Sequence, residues 1–378
     1  MKLKLKNTPE QVELIKAMGA RDPGVSREAT EAFAAFIGPV VQKVLLQAGT
    51  APLIYTDNQY DEDDSPSYPL DLYYNEGIDH INVWSQNVAG GLPTSHVEGL
   101  SEMKIATYRL DTAVSMLKRY ARRARLDVVS KSIERMAQEI LIKQERNGWA
   151  VILKALAEAS TDGNNHVVSS VNAGRFTPHD LNMLMTRIKR INISFAGGTP
   201  SNWDSRGLTD VFVSPEIMQD VRSFAYNPVS NVSSGASSAL PSLPDNTREG
   251  IWNAAGMSEI YGVVLHELIE LGVDKKYNVL FDNFAGSAVL KGGQAGTSQG
   301  SADGTTAFGS STGEVLVGLD LSRDAFIRPV ARQSDGGGTF TALPDDQFVS
   351  RAERLGWYGF LEEGRVCLDS RAICGITV

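Results

Sequence analysis

No helix can run through residues 50 to 107. Pro52, Pro66, Pro69, Gly77, Gly90, Gly91, Pro93 and Gly99 interrupt every helical period there, because proline lacks the amide hydrogen a helix needs and glycine is costly to order. Extended chain is the only regular option. The stretches 70 to 88 and 97 to 110 alternate imperfectly and are expected to pair as long strands around the Gly90-Gly91-Leu92-Pro93 turn. A two-stranded ribbon is marginal by itself. A chain with such a segment needs a surface for it to lie on.

The charge of the same region says what kind of surface. From Val44 to Met103 there is no lysine or arginine, while Asp57, Asp61, Glu62, Asp63, Asp64, Asp71, Glu76, Asp79, Glu98 and Glu102 contribute a charge of -10, against -9 for the whole chain. Between Lys104 and Arg146 the sign reverses: eleven basic residues stand against five acidic ones, a net +6. Like-charge blocks mark interaction surfaces or disordered tails. Here Tyr55, Tyr60, Tyr68, Tyr73, Tyr74, Ile81, Val83 and Trp84 are interleaved with the acids, which is too apolar and aromatic for a solvated tail. The matching surface is therefore expected to be positive. On the acidic side the candidate contact residues are Asp57, Asp61, Glu62, Asp63 and Asp64. On the basic side they are Lys118, Arg119, Arg122, Arg123 and Arg125, serving either the acidic arm or phosphates. The competing reading is a solvated face paired locally to Asp111 and Asp127.

Around this segment the chain reads as α+β. Helices are expected over 8–18 and 26–47, the second starting at Ser26 and interrupted at Gly38-Pro39. Asp127 can cap a proline-free helix to about Ala159, with Val129, Ile133, Met136, Ile140, Val151, Ile152 and Ala155 along one stripe. At 1.5 Å per residue it would be about 50 Å long, a strut across a whole domain. Thr177-Pro178 starts a helix to Ile191, and Ser214-Pro215 starts one to Tyr226. Strands are expected at 211–213, 261–271, 314–319, 324–333, 347–361 and 365–376. Residues 229–246 are rich in Ser, Asn and Pro, and residues 286–313 hold eight glycines; both read as surface excursions.

Catalytic constellations are poorly supported. His266 and Glu267 invite a metallohydrolase reading, but Tyr261, Val263, Leu265, Ile269 and Leu271 alternate as a strand does, which separates 266 from 270 by about 13 Å. The glycines near Lys291 lack the Gly-Lys-Ser/Thr ending of a phosphate loop. The run Asp61 to Asp64 lacks the spacing of a calcium loop. No cofactor is expected. Two cysteines in 378 residues are too few for a disulfide scaffold. No apolar stretch follows the first seven residues or approaches a membrane span, so the expectation is a soluble intracellular protein with no membrane partner.

The order of elements resembles the major capsid proteins of tailed double-stranded DNA phages, the Hong Kong 97 fold. The stretches that carry the resemblance are Tyr120 to Val129 leading into Ile133 to Glu139, Val213 to Arg222, and Leu355 to Asp369. It implies an N-terminal arm over 1–49, an extended loop over 50–110, a peripheral domain with a spine helix over 111–164, an axial domain over 165–320, and returning peripheral strands over 321–378. It also implies a non-enzymatic subunit assembling with itself into hexamers and pentamers of an icosahedral head, in the host cytoplasm and then the virion. Double-stranded DNA would lie on the inner face, with scaffolding, portal and cement or decoration proteins as partners. Some members cross-link through a loop lysine; this loop has none before Lys104, so noncovalent locking is expected. Only about fifty residues precede the loop, so a separate scaffolding protein is expected. An encapsulin-type compartment with the same fold is the alternative.

Overall fold

A computed structural model describes residues 8–47, 49–61, 64–69, 102–123, 126–161, 166–172, 174–191, 207–224, 249–250, 259–285, 290–291, 306–322, 324–332, 340–345 and 353–378. The fold is α+β. Its contacts divide the chain into two units that interleave along the sequence. The first holds Met1–Tyr68, Lys104–Gly148 and Ile327–Val366; the second holds Pro69–Met103, Trp149–Phe326 and Cys367–Val378.

The first unit is a sheet with helices on one face. Helices α1 (Pro9–Met18) and α2 (Pro23–Gln47) are followed by one turn, α3 (Ala51–Ile54), and strand β1 (Thr56–Asp61). Short strands β2 (Ser67–Pro69) and β3 (Glu102–Lys104) pair with each other. Next come β4 (Tyr108–Leu117), the short α4 (Lys118–Arg122), and α5 (Leu126–Thr161), of which residues to Gly148 belong here. Strands β12 (Phe326–Arg332), β13 (Thr341–Asp345) and β14 (Arg354–Glu363) complete the sheet. β14 pairs antiparallel with β4 from Arg354↔Leu117 to Glu363↔Tyr108, and β1 lies parallel to β12.

Strand alternation divides the two faces of this sheet. Leu110, Val114, Met116, Leu355, Trp357 and Leu361 turn into a core with Phe33, Ile37 and Val41 of α2 and Val129, Ile133, Met136 and Ile140 of α5. Phe33 meets Trp357 at 5.4 Å between ring centroids. Arg109, Asp111, Ala113 and Ser115 stay exposed. That is the pattern of an antiparallel sheet with one covered face.

The second unit is a six-stranded mixed sheet. Its strands are β5 (Val167–Ser169), β6 (Asp210–Val213), β7 (Glu259–Ile260), β8 (Val263–Glu267), β11 (Val315–Leu319) and β16 (Ile373–Thr377), in the order β5-β16-β11-β6-β8-β7. Its helices are α6 (Pro178–Ile191), α7 (Pro215–Ser223), α8 (Lys276–Ala285) and the portion of α5 from Trp149 onward. Trp149 is fully buried, edge-on to Phe212 at 4.9 Å and stacked on Tyr277 at 5.5 Å. Short strands β9 (Leu290–Lys291) and β10 (Thr306–Ala307) pair separately.

Several expectations are corrected. Pro39 does not interrupt α2, which runs unbroken from Pro23. The ring removes one backbone hydrogen bond, but the buried row Phe33, Ile37, Val41 continues across it and holds the helix together. Ser26 does not start α2; its hydroxyl donates to Met18 O at 2.7 Å. Residues 108–110 are not one arm of a loop ribbon, because β4 pairs with β14 from Tyr108. Of the rest of the expected ribbon, residues 102–104 form β3, which pairs with β2 at 67–69 rather than with 70–88, and residues 70–101 lie outside the described residues. The strand at 261–271 shortens to β8, closed by turns at Tyr261-Gly262, both with positive φ, and at Leu268–Leu271. The strand at 365–376 splits into β15 (Val366–Cys367), a 3-10 turn (Ser370–Ala372) and β16. β16 pairs with β11 and β5 in the second unit rather than returning to the first.

Candidate functional site

The feature that organises the first unit is the root of the segment between β1 and β4. Two adjacent glutamates near the end of β14 hold it. Glu363 points inward and is fully buried; Glu362 points the other way and is half-buried. A strand puts consecutive side chains on opposite faces, so the pair grips the root from both sides of the sheet.

Below the sheet, Glu363 Oε2 accepts from Gln144 Nε2 of α5 at 3.0 Å and from Arg328 Nε of β12 at 2.9 Å. Its Oε1 accepts from Tyr108 OH at 3.0 Å and lies 3.4 Å from Arg365 Nη2. Arg328 also reaches Asp57 through Nη1 at 3.2 Å. The outgoing strand is thus tied through Asp57 and Arg328, and the returning strand through Tyr108, to one carboxylate. Burial pushes the Tyr108 phenol up to about 12, and the neighbouring Glu363 charge adds to the rise. Two guanidiniums and two carboxylates balance in charge, which makes the burial of Arg328 and Arg365 tolerable.

Above the sheet, Glu362 Oε1 accepts from Tyr60 OH at 3.1 Å and from Thr107 Oγ1 at 2.8 Å. Tyr60 lies on the outgoing strand β1 and Thr107 immediately before the returning strand β4. The amide of Ile105 donates to Pro66 O at 3.0 Å, so the two ends stay together further out.

The spine helix fixes the approach to this root. Glu145 accepts from Thr50 Oγ1 at 2.8 Å and from the Ala51 amide at 2.9 Å, capping α3. Gly49, with φ +94, makes the turn that brings the chain there, and a Cβ at Gly49 would collide with Glu145. Tyr55 OH donates to Gly148 O at 2.8 Å while the Arg365 guanidinium sits 4.8 Å over the Tyr55 ring. A Cβ on Gly148 would lie 2.8 Å from Arg365 Nη1, so a larger residue there would displace the Arg365 guanidinium.

The charge candidates scatter around this root. Asp57 is spent on Arg328. Asp61 and Asp64 are exposed, the Asp64 amide donating to Asp61 O at 2.9 Å; Glu62 and Asp63 lie outside the described residues. Lys118 is only 7% exposed, as its position at the start of α4 turns it inward. Arg122 donates to Gly19 O at 2.8 Å and stands 4.0 Å from Glu353, joining α4 to the end of α1. Arg119 lies over the Tyr120 ring at 5.2 Å. Arg119 and Arg123 are exposed; the Arg125 side chain is outside the described residues. The four described members of the basic cluster therefore do not form one uniform face.

His266 is not grouped with metal ligands. Its Nε2 lies 2.7 Å from Asp210 Oδ1 and its ring stacks on Phe212 at 4.9 Å. Burial raises the Asp210 carboxyl, but hydrogen bonds from His266 and Thr209 outweigh it and leave it below its usual value. Among the described residues no three His, Cys, Asp or Glu side chains stand together as a metal site, and no helix is long and apolar enough to cross a membrane.

No family model and no curated protein matches this sequence. Among solved structures, the chain is similar to the capsid of the cyanophage P-SCSP1u, at 13% identity and a TM-score of 0.47, covering 86% of this chain and 85% of that one. A structure from Microbacterium phage Oxtober96 is similar at 10% identity and a TM-score of 0.47, covering 88% and 91%. The holo-SrpI encapsulin complex of Synechococcus elongatus is similar at 14% identity and a TM-score of 0.39, covering 73% and 75%. Likeness this distant leaves function to be argued from the chain's own architecture.

Proposed function

We propose that this chain is a non-catalytic shell subunit, the major capsid protein of a tailed double-stranded DNA phage, assembling with itself into hexamers and pentamers. One observation carries the reading: an acid-rich segment without lysine or arginine leaves and re-enters the first unit at a root held by a single pair of glutamates. A segment of this composition needs a surface, and a neighbouring copy supplies one in every subunit of a closed shell. The reading is supported by an interleaved path in which helices α1 and α2, the long α5 up to Gly148 and strands β12–β14 come together in the first unit. Asp61, Glu62, Asp63 and Asp64 are proposed to face exposed arginines such as Arg119 and Arg123 of the next copy. Packaged DNA, a portal, a scaffolding protein and a cement protein are the further partners this reading implies.

Changing Asp61, Glu62, Asp63 and Asp64 together to lysine tests the electrostatic part. Exposed pairs contribute roughly 0.2–1 kcal/mol each, so four reversals are expected to lower the assembled fraction about tenfold or more in sedimentation analysis. Raising the salt should weaken wild-type assembly in the same direction, since exposed charge pairs are screened. Normal assembly by the lysine variant at low salt would remove the acidic run from the contact.

A further inference from the structure

Helices α1 and α2 leave an apolar recess of about 280 Å³ between them, lined by Gln11, Leu14, Ile15, Ala32, Phe33 and Phe36. Ile15 and Phe33 are its buried floor, at 0% and 3% exposure, while Phe36 stands 48% exposed beside them. Contiguous exposed apolar surface of this kind marks a place of attachment. Gln11 Oε1 is buried there without a hydrogen-bond partner among the described residues, a cost that an occupant's N–H group would remove once the amide rotates toward it.

The charge around the recess selects the occupant. Glu10 lies one helical turn from Leu14 and Glu28 one turn from Ala32, with Glu13 and Glu31 further out, and all four are exposed. Glu31 pairs with Arg27 at 3.0 Å; Glu10, Glu13 and Glu28 make no ion pair among the described residues. A second copy docking through this same face would set glutamate against glutamate, so like charges oppose it. The occupant has to bring apolar side chains and cations together.

The first six residues have that chemistry, Lys2, Lys4 and Lys6 alternating with Met1, Leu3 and Leu5 and no acid among them. In an extended segment the apolar set can face the recess while the long lysines bend to its rim. The segment also starts at the right place. Residues 1–7 lie outside the described residues, but Thr8, just before α1, shares a helical stripe with Gln11 and Ile15 at i, i+3 and i+7, so the chain reaches α1 on the side that carries the recess. Leu14 and Ile15 are about 10 Å further along the helix, and six extended residues span about 20 Å. We infer that the recess is the docking site of the chain's own residues 1–6, with Leu3 and Leu5 entering it and the lysines meeting Glu10 and Glu28. Tethering gives the segment an effective concentration on the order of millimolar, which favours it over the same segment of a neighbour. The inference stands on the first unit alone and is independent of the shell reading.

A disulfide trap in the full-length protein tests it. Leu5→Cys with Ala32→Cys is expected to form a bridge within one chain about tenfold faster or more than Leu5→Cys with Ala113→Cys, the latter exposed on the uncovered face of the sheet. Peptide mapping separates these products from any formed by the half-buried Cys367 and the buried Cys374. Adding Glu10→Lys and Glu28→Lys should slow the bridge about fivefold, since exposed pairs contribute roughly 0.2–1 kcal/mol each. Placing Lys2→Glu, Lys4→Glu and Lys6→Glu in that background should restore it. A mixture of the two single-cysteine proteins, Leu5→Cys and Ala32→Cys, should give about a tenth of the bridge or less. Equal bridging to residues 32 and 113, or bridging between mixed chains as fast as within one, would overturn the inference. Bridging indifferent to the charge reversals would overturn the charge match that selects this segment.

Discussion

Replacing Glu363 by leucine is expected to cost the first unit about 3–5 kcal/mol, because removing one partner of a buried ion pair strands the other charge. Here it strands Arg365 and leaves Arg328 with Asp57 alone. Arg328 and Arg365 are 5% and 2% exposed at the side chain, and both are held by Glu363. Arg365 Nε and Nη1 have no hydrogen-bond partner among the described residues, so Arg365 has little to fall back on. Urea unfolding of dissociated subunits, followed by far-UV circular dichroism, measures the loss. Glu363→Gln should lose less, since its one carbonyl oxygen still accepts from either Tyr108 or Gln144. Combining Glu363→Leu with Arg328→Met and Arg365→Met should recover much of the stability, because it leaves no buried charge unpaired, only the part-exposed Asp57. A Glu363→Leu protein within about 1 kcal/mol of wild type, an outcome well below the usual range, would mean that the network does not hold the root.

Trp149→Ala is expected to cost the second unit about 3–5 kcal/mol, the range for removing a large buried aromatic. Trp149 is fully buried between Phe212 of β6 and Tyr277 of α8. It is the first residue of α5 assigned to the second unit, so its loss leaves a void where the spine helix enters that core. Trp149→Phe keeps one ring in the site and should cost less than half as much. The near-UV circular dichroism of the purified subunit reports the packing directly. Retention of the wild-type urea midpoint by Trp149→Ala would show that Phe212 and Tyr277 close over the gap unaided.

Helices with strong periodicity are legible in the amino-acid sequence itself. The helix expected over 178–191 has those limits, and the spine expected over 127–159 runs Leu126–Thr161. Both carry their own signals, a cap with proline for the first and a long apolar stripe for the second. In α6 the cap is reciprocal, since Asp180 Oδ2 accepts from the Thr177 amide and hydroxyl at 2.8 and 2.7 Å. Ser214 caps α7 as expected, accepting from the Ile217 amide at 3.1 Å. Helix α8 is absent from the expected elements although Tyr277, Phe281 and Ala285 are buried four residues apart. Its ten residues lie close to the glycine-rich stretch, where a short periodic run is hard to separate from loop.

The root is not legible in this way, and the reason is physical. Leu361-Glu362-Glu363-Gly364-Arg365 shows two acids beside an arginine, which reads as an ordinary charged strand end. Their partners Tyr60, Thr107, Tyr108 and Arg328 come from other strands and connections, and only tertiary pairing brings them together. The charge blocks, by contrast, are plain in the sequence but their destinations are not. Lys118 and Arg122 look like members of a surface cluster, yet the first turns inward and the second takes the Gly19 carbonyl. Counting charges locates a segment with a task; it does not say which of its members are already engaged within the chain.

Electron cryomicroscopy of the purified full-length protein tests the shell-subunit reading most directly. The expected result is closed icosahedral particles in which residues 69–103 of each copy lie on a neighbouring copy. Discrete monomers or small oligomers, or shells in which that segment packs on its own subunit, would contradict it.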